Sequence, residues 1–119
     1  MGRLVINATH AKDDAERATL AFIVGATAVG ADQECTIVLT VDGVWLATKG
    51  YAEEIQKDGF RPAGELVQEF LKNGGQLWAC GACCKPRGIT EDRLRDGAKI
   101  VGAANVVEVL LASDNSITF

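Results

Sequence analysis

The chain has 119 residues, a length that makes one domain and supplies a core without disulfide staples. Its net charge is −4, with no basic stripe and too few aromatics to interleave with Lys or Arg, which argues against nucleic acid as a partner. The longest apolar stretch, Ala18 to Ala31, is too short to span a bilayer, and the start lacks the pattern of a secretory signal, so a cytoplasmic protein with no membrane partner is expected.

Arg3 to Asn7 reads as a first strand, followed by a polar loop to Lys12. Asp13 or Asp14 is a plausible N-cap for a helix running to about Val29, with Glu16 facing its positive end. Ala18, Ala21, Phe22, Gly25, Ala28 and Val29 recur at helical spacing. Leu20, Ile23 and Val24 fall outside that stripe, so the helix is apolar nearly all round, and its second side is expected at a subunit interface.

Glu34 to Thr40 is rich in β-branched residues and reads as a second strand, with a turn at Asp42-Gly43. Gly43 to Gly59 has no clear period; a short helical piece and a loop near the open edge of the sheet are expected there. Pro62 fits the first position of a helix whose apolar face is Leu66, Val67, Phe70 and Leu71, and which Asn73-Gly74-Gly75 stops. Gln76 to Cys80 reads as the third strand. Thr90 caps a short helix, and Ala98 to Val101 is a weak fourth strand. Asn105 opens a last helix, and Ser116 to Phe119 forms a fifth strand. This alternation predicts a single α/β domain over residues 1–119: a three-layer sandwich with a mainly parallel five-stranded sheet and helices on both faces.

In such sheets ligands bind beyond the carboxyl ends of the strands. That rule selects Asn7, Thr9 and His10, then Asp42 and Gly43, then Cys80, Cys83, Cys84, Lys85 and Arg87. Three of the four cysteines fall within five residues. A structural disulfide framework would spread them along the chain; clustering points to redox, sulfur or metal chemistry. A thiolate is the reactive form of cysteine, and Lys85 and Arg87 supply cations that favour it. Such a thiolate attacks a polarised sulfur or exchanges disulfides, and Cys83, three residues after Cys80, is spaced to act as a second thiol.

Cys35, in an apolar strand, reads as a core residue. His10 is either a solvated loop residue or a ligand, and Asp42 either a turn former or a binding group. Trp45 and Trp78 read as core or interface residues. Zinc usually takes two cysteine pairs; here Cys80, Cys83, Cys84 and His10 offer one pair and no second knuckle, so no metal is expected. Phosphate-loop and dinucleotide glycine patterns are absent, and no cofactor is expected.

The segment Cys80-Gly-Ala-Cys83-Cys84-Lys-Pro-Arg87-Gly88-Ile89 resembles the DsrE/DsrF/YchN-like family. The likeness extends to the first strand, the Asp13-led helix, Val41-Asp42-Gly43-Val44 and the ending Ser-Ile-Thr-Phe. It implies the flavodoxin-like sheet already described and assembly into trimers or hexamers. It also implies sulfur relay between donor and acceptor proteins, with a persulfide on the cysteine at position 80 and a second cysteine at position 83. Cys84 lies outside that pattern. Two other functions compete with a sulfur carrier or sulfurtransferase: a non-catalytic oligomeric binding module, and a thiol-disulfide protein using Cys80 and Cys83.

Overall fold

Chain order and sheet order differ by a single reversal. The computed structural model describes all residues, Met1–Phe119. Its strands are β1 (Arg3–Ala8), β2 (Glu34–Leu39), β3 (Gln76–Cys80), β4 (Ala98–Val101) and β5 (Asn115–Thr118). Its helices are α1 (Ala15–Gly30), α2 (Ala63–Lys72), α3 (Gly81–Cys84) and α4 (Ala103–Ala112). The strands form one sheet in the order β4-β3-β2-β1-β5, and every neighbouring pair is parallel. The expectation of a mainly parallel sheet is thus met by a wholly parallel one.

From β1 to β4 the chain steps in one direction, so right-handed crossovers keep α1 and α2 on one face. The return from β4 to β5 reverses direction and places α4 on the other. The main core lies between the first face and its two helices. Ile6, Ile37, Leu39 and Leu77 alternate along the strands and are fully buried there with Phe22 and Phe70. Those two rings meet edge to face with centroids 6.0 Å apart, an arrangement worth about 1 kcal/mol beyond the area it buries.

Local signals account for the element ends. The Asp14 side chain accepts from the Arg17 amide at 3.0 Å and caps α1. Pro62 takes the N-cap position of α2, so that helix begins one residue later than its proline predicts. The last helix begins at Ala103, two residues before Asn105. Asn105 acts from inside the first turn, where its Oδ1 accepts from the Gly102 amide at 3.0 Å. The fifth strand is shifted by one residue, to Asn115–Thr118.

One expectation about the periphery is corrected and another gains a second candidate. Residues 43–59 hold the short helical piece expected of them, but they are not peripheral to the sheet. They fold as 3₁₀ turns, Val41–Ala47 and Ala52–Glu54, and send Val44, Leu46, Ala47, Ala52 and Ile55 into the core. A 3₁₀ turn repeats every three residues, so its apolar side chains follow neither helical nor strand spacing. A second helix, α4, leaves more of its apolar side uncovered than α1 does. In α1, Leu20, Ile23 and Val24 are half-buried within the single chain. In α4, Val107 is 54% and Leu111 84% exposed, because one helix alone lies over the second face. No helix is long and apolar enough to cross a membrane.

Candidate functional site at the ends of the second and third strands

Parallel pairing sets Leu39 beside Ala79, so β2 and β3 end side by side and their following loops meet. The loop from β2 turns sharply. Thr40 N donates to the Ala8 carbonyl at 3.0 Å, and Gly43 N donates back to the Thr40 carbonyl at 2.9 Å. Gly43 lies so close to β1 that a Cβ there would be 2.1 Å from the Ala8 oxygen, which is why glycine follows Asp42. Val41, inside this turn, has φ +53°, a left-handed conformation that is unusual for a β-branched residue and costs roughly 1–3 kcal/mol.

The loop from β3 coils at once into α3, which carries Cys83 and Cys84, and then into a 3₁₀ turn, Lys85–Arg87. Gly88, at φ +68°, ends the turn, and Ile89 returns to the core with its amide donating to the Cys84 carbonyl at 3.1 Å. All four cysteines are free thiols. Cys80 and Cys83 are half-buried. Cys84 is 2% exposed and packs in the core. Burial pushes the Cys84 thiol up, Cys80 and Cys83 add to that, and Arg87 pulls the other way. Cys35 is a core residue, as expected, and burial pushes its thiol up to about 11.

The two loops are bound together through Arg87. Its Nε and Nη2 donate to Asp42 Oδ1 at 3.2 and 2.9 Å, and its Nη1 donates to the Cys83 carbonyl at 3.1 Å. The Val41 amide donates to Cys83 Sγ at 3.2 Å. Asp42, Arg87 and Cys83 therefore form one constellation. Lys85 is adjacent but exposed and takes part in no ion pair. His10 belongs elsewhere: its Nδ1 donates to Asp13 Oδ2 at 2.7 Å, and Asp13 also accepts from the Ala11 amide. Sequence reasoning missed Val41, because its contribution comes from a backbone N–H that no side-chain type advertises.

The arrangement offers two reachable sulfurs on an open surface. None of the five principal clefts is lined by a loop cysteine, Asp42 or Arg87. The largest, about 420 Å³, is lined by Glu91 and by Leu94 to Ile100. No group of three or more His, Cys, Asp or Glu side chains gathers as metal ligands do.

Residues 2–119 match the DsrE/DsrF-like family. Two relatives are uncharacterized proteins of Methanocaldococcus jannaschii. One, MJ0760, is 32% identical over 89% of this chain, which spans only 38% of that relative's length. The other, MJ0989, is 32% identical over 93% of this chain and 94% of its own. An uncharacterized protein of Methanopyrus kandleri, MK0008, is 33% identical over 87% of this chain and 83% of its own. The fold is similar to that of the E. coli ychN protein, with a TM-score of 0.84 at 21% identity and full coverage of both chains. It is also similar to MTH1491 of Methanobacterium thermoautotrophicum, a protein of unknown function, with a TM-score of 0.75 at 20% identity and full coverage of both.

Proposed function

We propose that this chain, which belongs to the DsrE/DsrF-like family, is an intracellular sulfur carrier that holds sulfane sulfur as a persulfide on Cys80 and passes it to a partner protein. The observation that carries this reading is the placement of Cys80 and Cys83 as half-exposed free thiols on an open strand-end surface outside the principal clefts. A small-molecule enzyme encloses its substrate in a pocket. A protein that receives sulfur from one macromolecule and gives it to another needs its thiol within reach of both.

The Cys80 thiolate attacks the outer sulfur of a donor persulfide. The donor's S–S bond breaks as the new one forms, and the donor leaves as a thiolate. An acceptor thiolate then repeats the attack on the Cys80 persulfide, so neither step needs an oxidant or reductant. Lys85, exposed and unpaired, attracts the anionic sulfur of the incoming group. Arg87 acts by holding Asp42 and the Cys83 backbone, while its charge is met by Asp42. Free neighbouring thiols fit a reducing cytoplasm. The exposed apolar side of α4 fits assembly with further copies of the chain, as a trimer or hexamer.

Incubation with a small persulfide donor, then intact-mass measurement, tests the reading. Wild type should gain one sulfur atom, and Cys80→Ser should gain far less. A wild-type protein that stays unmodified, or a Cys80→Ser variant that loads equally, contradicts it.

A further inference from the structure

Cys80 and Cys83 are both half-buried but differently bonded. No hydrogen bond reaches Cys80 Sγ, whereas Cys83 Sγ accepts the Val41 amide at 3.2 Å. A neutral thiol is a weak acceptor, and an anionic sulfur a strong one. The donor is held in place from both sides. Val41 is 50% exposed, so its left-handed backbone is not compensated by burying its side chain. The turn that imposes this conformation is closed by the Gly43 amide and packed against β1. Arg87 then ties the same turn, through Asp42, to the Cys83 carbonyl. Two loops from neighbouring strands are thereby fixed at the spacing one N–H···S contact requires.

We infer that the Val41 amide is a positioning group forming an anion hole for Cys83, and that Cys83 is the relay thiol that takes the sulfur from Cys80. The Cys83 thiolate attacks the outer sulfur of the Cys80 persulfide. The Cys80–sulfur bond breaks, Cys80 leaves as a thiolate, and the persulfide, a more acidic group than a thiol, rests on Cys83 under the amide. The charged or titratable groups around Cys83 are Cys80, Cys84 and Lys85 on its own loop, with Asp42 and Arg87 paired beside it. The relay step rests on the sulfur-carrier reading; the anion hole is a property of the unloaded protein.

The test is the rate of iodoacetamide alkylation at each cysteine, read by peptide mass spectrometry from about pH 6 to about pH 10. At neutral pH Cys83 should be alkylated about tenfold faster than Cys80. Replacing the Val41 amide by an ester, through chain ligation at Cys35, should slow Cys83 about tenfold at neutral pH and leave Cys80 unchanged. Coincident profiles in the natural chain, or an ester chain with an unaltered Cys83, overturn the inference. Should the ester chain fail to fold, the ¹⁵N-labelled Val41 amide of the natural chain decides. Its resonance should titrate with the Cys83 midpoint and lose that transition in Cys83→Ser; an amide that does not respond is equally fatal. Persulfide loading of the same natural protein separates the two ideas. Failed loading with an intact Cys83 profile removes the carrier function and leaves the anion hole standing.

Discussion

Cys35 sits 4% exposed on β2, and its thiol is pushed from 9.0 to about 11 because a thiolate there would lose its water. Below about pH 9 both the folded and unfolded chains keep this proton, and the group has no effect on stability. Between about pH 9 and 11 the unfolded chain ionises first, so stability falls as pH rises, by about 2–3 kcal/mol in all. Urea titrations at the two ends of that window should show this loss, and Cys35→Val should reduce it. An equal loss in both proteins would mean that other groups cause it. The thiols differ in how visible they are from sequence. The cluster at 80–84 announces itself by spacing, and Cys35 by its apolar neighbours. The tie between Asp42 and Arg87 joins residues 45 positions apart and needs the strand order to be known. His10 shares the favoured end of the sheet, yet its local acid, Asp13, claims it first.

The turn after β2 is the element on which the site's geometry depends. Gly43→Ala would drive a methyl into the Ala8 carbonyl, and the clash is with backbone that cannot swing away. The variant should lose about 1–3 kcal/mol in urea unfolding. It should also move Val41 and so slow the alkylation of Cys83 at neutral pH. An alanine variant as stable as the natural chain would mean that the turn yields freely. The Asp42-Gly43 pair identifies a turn in the sequence, but its left-handed residue is Val41, where no residue preference predicts one. The 3₁₀ segment from Val41 to Ala47 has no clear period in the sequence, for a related reason. Its tertiary contacts, and not its local spacing, decide which side chains are buried. Regular elements fared better: β3 and β4 have the predicted ends because apolar runs and flanking glycines mark them.

At the scale of the molecule, alternating strand and helix patterns were enough to identify a parallel sheet, while the order β4-β3-β2-β1-β5 was not legible, since nothing local says on which side a crossover returns. That order explains why α4 covers its face alone and leaves Val107 and Leu111 uncovered. Sedimentation should find an oligomer, and Val107→Glu with Leu111→Glu should weaken its association by about tenfold or more. A natural chain that sediments as a monomer contradicts that use of α4. The carrier function itself is most directly tested by counting transferable sulfur. Protein treated with a persulfide donor, freed of it and exposed to cyanide should release one thiocyanate per chain. Cys80→Ser with Cys83→Ser should release none. Thiocyanate missing from the folded natural protein, or released equally by the double variant, would contradict the account.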